Sequence, residues 1–177
     1  MMAHSYCIDS LIGPLCLIAD DDSLREIRFA PLGTALDPTP PTSLLAEAAR
    51  QLTDYFRGAR RGFDLPLDPV GTPFQQRVWA ELRAIPYGVT TTYSAIARRL
   101  GDALAVRAVG RANATNPLAL VVPCHRVIGT GGKLTGFAGG LATKEWLLRH
   151  EARRTVPNGL FAQPSETGPA SAPLPGA

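Results

Sequence analysis

Cysteine is scarce in this chain and follows no pattern. Three occur in 177 residues, Cys7, Cys16 and Cys124. An odd number without a Cys-x-x-Cys pair argues against a disulfide framework and against a zinc knuckle. Cys7 and Cys16 lie in short apolar stretches and read as small core residues. No apolar run approaches the roughly 18–20 residues that span a bilayer, so no membrane partner is expected. The start, Met1-Met2-Ala3-His4, lacks the basic and apolar regions of a signal peptide, and a cytoplasmic protein is expected. Net charge is also small, +3, but it hides an asymmetry. Residues 1–70 hold 6 Lys/Arg against 10 Asp/Glu, whereas residues 71–152 hold 10 against 4. An acidic half joined to a basic half points to a polyanion met by the second half alone, although plain surface scatter gives the same numbers.

What is present supports one good core or two small ones. Short strands are expected at Tyr6–Ile8, Leu15–Ala19 and Leu24–Phe29, separated by Gly13-Pro14 and Asp20-Asp21-Asp22. Ser43 is a candidate N-cap for a helix with Leu44, Leu45, Ala48, Leu52, Tyr55 and Phe56 on one face, closed by Gly58. Phe63, Leu65 and Leu67 alternate as a further strand. A boundary falls at Asp68-Pro69-Val70-Gly71, giving domains 1–70 and 71–152. The second begins with a capping box, Thr72 at the cap, Pro73 and Gln75. Thr92 caps a helix carrying Tyr93, Ile96, Ala97 and Leu100, and Ala105 to Ala114 forms the next. Two short helices about a glycine-containing turn read as a helix-turn-helix. The second of them carries small residues, Ala105, Ala108, Gly110 and Ala112, with Arg107 the long one among them. Such a helix either approaches a partner closely with Arg107 projecting, or packs on a neighbour with Arg107 merely solvated. Thr143 is the candidate cap of a last helix, and residues 153–177, rich in Pro, Gly, Ala and Ser, read as a disordered tail.

The chemistry concentrates after Leu118–Val122, read as a strand that Pro123 ends. Cys124-His125-Arg126 follow at once. A free thiol is only slightly ionised at neutral pH, so it needs a base, and His125 is the nearest. Neighbours on a strand point to opposite faces, so their cooperation requires a turn or a bridging water. Glu151, Glu81, Asp102 and Glu145 are candidates to orient the imidazole, and spacing alone does not choose among them.

Pro123-Cys124-His125-Arg126-Val127-Ile128-Gly129 resembles the active-site motif of the O6-alkylguanine-DNA alkyltransferases, or methylated-DNA–protein-cysteine methyltransferases. Phe74-Gln75-Gln76-Arg77-Val78-Trp79, Ile85-Pro86-Tyr87-Gly88, Tyr93, Arg107-Ala108-Val109-Gly110 and Asn116-Pro117 also resemble the family, in order. So do Gly139-Gly140-Leu141 and the run Lys144 to Glu151. The resemblance covers about Asp9 to Glu151.

It implies an α+β/α fold class, a small ribonuclease H-like α/β domain followed by a mainly helical helix-turn-helix domain. It implies direct-reversal repair: the alkyl group of O6-alkylguanine, with O4-alkylthymine a further candidate, passes to Cys124 in a single irreversible turnover. His125 would act through a water and Glu151 would orient it. Tyr93, Val127, Phe137 and Ala138 would bind the base, flipped from double-stranded DNA approached through the minor groove. Arg107, Ala108, Gly110 and Arg126 would meet DNA, with Arg107 filling the vacated stack, and Asn116 would brace the turn holding Cys124. No cofactor, no metal and a monomer are expected. Phe137 stands where many members carry tyrosine and Ala138 where some carry serine, so two hydroxyl contacts are missing. Rival readings are a damage sensor without transfer, a helix-turn-helix regulator and a cysteine hydrolase.

Overall fold

The computed structural model describes residues 2–34 and 40–155. The proposed tail lies outside them from residue 156 onward. Three strands, β1 (His4–Ile8), β2 (Leu15–Ala19) and β3 (Leu24–Phe29), form an antiparallel sheet in chain order. In β2, Leu15, Leu17 and Ala19 alternate inward and are fully buried, the period of a sheet with one covered face. Helix α1 (Ser43–Arg57) covers that face with Leu45, Ala48, Leu52 and Tyr55. Its cap is Thr42, one residue before the expected Ser43, and the Thr42 hydroxyl accepts from the Leu45 amide. Gly58 ends it at φ 78°, a conformation that suits glycine.

Two expectations in this half are corrected. Cys7 and Cys16 are not separate core residues: they face each other across β1 and β2 with Cα atoms 4.0 Å apart and are disulfide-bonded. Strand register, not cysteine count, brings them together. Phe63, Leu65 and Leu67 form no strand; Leu67 makes an isolated bridge to Leu24, and the neighbouring Pro66 has no amide to extend a ladder.

The second half is built on helices α2 (Pro73–Arg83), α3 (Tyr93–Arg99), α4 (Val106–Ala114) and α5 (Leu141–Thr155). The capping box at Thr72 and Gln75 forms as expected, and so does the Thr92 cap. α4 packs against α2 and α3, and the Trp79 indole of α2 donates to the Ala112 carbonyl of α4 at 2.8 Å. α5 begins two residues before Thr143, directly after Gly139-Gly140. A short parallel pair, β4 (Thr91–Thr92) with β5 (Val127–Ile128), ties the entry of α3 to the exit of the Cys124 turn.

The halves meet closely. The Ile27 amide of β3 donates to the Pro117 carbonyl at 2.8 Å, and Phe29 lies against Gly139 so tightly that a Cβ there would come within 2.7 Å of the ring. No helix among the described residues is long and apolar enough to cross a membrane.

Candidate active site

Residues 118–122 are not the expected strand. The Val122 amide donates to the Leu118 carbonyl, Ala119 and Val122 form only a bridge, and Leu120 sits at φ 77° while fully buried. Burial of an apolar run is equally compatible with a compact turn, and that is what occurs. Asn116 holds this turn: its amide nitrogen donates to the Val122 carbonyl at 2.8 Å and its carbonyl oxygen accepts the Leu118 amide. Pro123, at φ −80° and ψ 64°, makes an inverse γ-turn closed by the Cys124 amide on the Val122 carbonyl. Cys124–Arg126 then form one 3-10 turn. The turn resolves the geometric objection to adjacent Cys and His side chains, because both are directed inward.

All three side chains of that turn are buried. His125 Nε2 lies 3.0 Å from Glu151 Oε1, so the carboxylate fixes the neutral tautomer with hydrogen on Nε2. Nδ1 is then the bare acceptor, and it has no partner among the described residues. Of the four candidate carboxylates the structure brings Glu151 to the imidazole; Glu81 pairs with Arg99 and Glu145 with Arg149, while Asp102 caps the turn before α4 at the Leu104 amide.

Glu151 is the hub of the site. Arg126 donates to it through Nε and a terminal nitrogen, both at 2.9 Å, the Gly88 amide at 2.9 Å, and the Tyr55 hydroxyl at 2.7 Å. Burial alone would raise its pKa, but the donors from His125 and Arg126 outweigh it and hold the carboxyl well below the usual range. Burial pushes the His125 imidazole down against the pull of Glu151. Burial likewise pushes the Cys124 thiol up, opposed by a hydrogen bond from Asn116 and by the charge of Lys144.

Arg126 is therefore buried and paired here rather than presented at the surface for DNA. Its guanidinium is spent on Glu151 and the Ile85 carbonyl beneath the Tyr87 ring, with 6% of the residue exposed. Arg107 and Ala108 are exposed on α4, where they line a surface hollow with Phe74, Gln75 and Arg111. Gly110 faces Tyr93, 3.9 Å from a built Cβ. The Tyr93 hydroxyl accepts from Thr135 at 3.0 Å, which leaves its own hydrogen for another acceptor. Phe137 packs edge-on between Phe29 and His125, Val127 is fully buried in β5, and Ala138 is exposed with no partner for its amide among the described residues.

Sequence reasoning missed Tyr55, Gly88 and Lys144. Tyr55 reads as one more apolar residue of α1, and nothing local reveals its hydroxyl's target. Lys144 did carry a signal: with Leu147 and Glu151 it falls at i, i+3 and i+7, placing two ionisable groups on the buried stripe of α5. The described residues hold no group of three or more His, Cys, Asp or Glu able to bind a metal.

Comparison with known proteins gives the same picture. Residues 2–69 match the family model "6-O-methylguanine DNA methyltransferase, ribonuclease-like domain", and residues 73–153 match the corresponding DNA binding domain. The methylated-DNA–protein-cysteine methyltransferase of Methanosarcina acetivorans is 47% identical over 148 residues, covering 81% of this chain and 94% of its own. That of Mycobacterium bovis is 47% identical over 158 residues, covering 86% and 94%. The crystal structure of Mycobacterium tuberculosis O6-methylguanine methyltransferase superposes with a TM-score of 0.78 at 46% identity, over 90% of this chain and 98% of that one. The M. tuberculosis OGT solved in complex with DNA gives 0.75 at 48% identity, over 84% and 92%. This chain, with its small sheet domain and a helical domain that holds a buried Cys-His-Glu, belongs to the methylated-DNA–protein-cysteine methyltransferase family.

Proposed function

We propose that the chain repairs O6-alkylguanine in double-stranded DNA by moving the alkyl group to Cys124 once and irreversibly. The observation that carries this reading is the buried Cys124–His125–Glu151 series with His125 Nδ1 left as acceptor. His125 takes the thiol proton, through a water, and Glu151 stabilises the imidazolium. The sulphur attacks the alkyl carbon, the S–C bond forms as the C–O6 bond breaks, and the electron pair stays with the base. The guanine anion takes up a proton to complete the balance. No group in the site breaks the resulting thioether, so one molecule acts once.

A thiol this buried meets a base only if the base leaves the duplex. Tyr93 donates its free hydroxyl hydrogen to the flipped base, and the Val127 carbonyl and Ala138 amide read the guanine edge. Phe137 offers an apolar wall. α4 enters the minor groove with Ala108 and Gly110 toward the backbone, and Arg107 fills the vacated stack. Phosphate contact and shape suit an enzyme that must accept damage in any sequence context. O4-alkylthymine is a second candidate substrate, and the protein acts as a monomer without a cofactor.

Intact mass after incubation with a duplex containing O6-methylguanine, followed by peptide mapping, tests the reading. One methyl group on the Cys124 peptide, with one guanine restored per protein, is the expected result. Preferential binding to the lesion without mass gain would replace the transferase by a damage sensor.

A further inference from the structure

Lys144 is an unusual residue to find buried on α5, the helix that packs against the Cys124–Arg126 turn. It is fully buried, among the largest such side chains in the protein. Its ammonium donates to the Thr135 carbonyl at 2.8 Å and forms no ion pair among the described residues. A buried ammonium without a counter-charge is costly and normally loses its proton or finds an anion.

The neighbouring charges show which anion is available. Glu151 and Arg126 are both buried and bonded to each other, so their charges cancel. His125 is committed to Glu151 through Nε2 and is held neutral by burial. Tyr55 and Gly88 add only neutral donors to Glu151. Tyr93, from α3, meets Thr135 through its hydroxyl. Among the described residues, the group that interacts with this charge and can become negative is the Cys124 sulphur. Burial pushes the Lys144 ammonium down and the Cys124 thiol up, and the attraction between the two charged forms opposes both shifts.

We infer that Lys144 is a positioning residue for the transfer: its buried ammonium is the counter-charge of the Cys124 thiolate, while its bond to Thr135 fixes the loop that presents Tyr93's partner. The inference rests on the alkyl transfer proposed above. His125 removes the thiol proton, and Lys144 holds the charge that remains on sulphur until the S–C bond forms. Arg126, which the sequence also places beside the thiol, cannot do this because Glu151 already neutralises it.

Three full-length variants separate charge from packing. Lys144→Gln keeps a donor for the Thr135 carbonyl without the charge, Lys144→Arg keeps the charge, and Lys144→Met keeps neither. The readout is the pH profile of Cys124 alkylation by iodoacetamide, mapped by mass, beside methyl transfer from an O6-methylguanine duplex. The Gln and Met variants should react about tenfold more slowly at neutral pH, the low end of what an adjacent opposite charge exerts on ionisation. Their profiles should move to higher pH, and Arg should restore the wild-type profile. Unchanged profiles in Gln and Met, with transfer lost in proportion to thermal stability, would overturn the inference and leave Lys144 a loop anchor. Should Lys144→Met not fold, the Gln and Arg pair decides the same question. Because iodoacetamide needs no DNA, a shifted profile in a protein that transfers no methyl group would refute the repair reading and keep the role of Lys144.

Discussion

Replacing Tyr55 by phenylalanine removes a single hydroxyl that crosses from the sheet domain to the Glu151 carboxylate. The ring stays in its fully buried place against Phe56, Phe63 and His150, so packing is conserved. What is lost is a 2.7 Å hydrogen bond to an ionised acceptor, a class worth about 1.5–3 kcal/mol. Glu151 keeps Arg126 and the Gly88 amide, so it is not orphaned, and the low end, about 1.5 kcal/mol, is expected. In a chain of this size that lowers Tm by about 3–6 °C. Methyl transfer should also slow severalfold, because Tyr55 and His125 share the same carboxylate oxygen. Tyr87→Phe is the internal control. Its hydroxyl is buried without a partner among the described residues, so its removal should be neutral or stabilising. Urea denaturation of the two variants, with transfer rates measured in parallel, reads both quantities. Equal losses in the two, or none in Tyr55→Phe, would refute the reasoning.

Further expectations follow from the same geometry. Arg107→Ala should slow transfer from duplex DNA by tenfold or so, the cost of about 1.4 kcal/mol, and leave transfer from the free base O6-methylguanine unchanged; parallel single-turnover assays compare the two. Acid should destabilise the protein in a defined window. Glu151 and Asp20 are both held below ordinary carboxyl values, Asp20 at about 2 chiefly by the Asp22 amide. Their contribution is complete above the unfolded pKa near 4 and drains away as pH falls toward the folded values, so urea midpoints should begin to fall near pH 4. Asp20→Asn should flatten that fall. Reducing the Cys7–Cys16 bond, which closes a loop of sequence separation 9, should cost about 2–3 kcal/mol of stability without changing the transfer rate, measured with and without reductant.

Much of this fold is written locally and can be read locally. The Thr72–Gln75 capping box, the Thr92 cap and the Gly58 stop depend on residues three or four apart, and all three form. The failures share another cause. Leu118–Val122 has the composition of a strand, yet its partner is Asn116, which folds it into a turn. The fate of Cys7 and Cys16 depended on the register of two strands, which cysteine parity does not encode. Arg126 sits in the right motif for a nucleic-acid contact, but a carboxylate 25 residues away claims it. Tyr55 reaches Glu151 over a separation of 96 residues. Short-range chemistry was legible, and pairing across the chain was not.

The two-residue ladder between β4 and β5 has a mechanical meaning. It fastens the sulphur-bearing turn to the base of α3, while α3 is packed on α4, the helix that bears Arg107. Hydrogen bonds from Asn116, Glu151 and the main chain leave that turn no slack of its own. If the base is flipped as proposed, the protein serves as an anvil and the displacement falls to the nucleic acid. Lesions in weakly stacked or mispaired steps should then be consumed sooner than identical lesions in stiff ones.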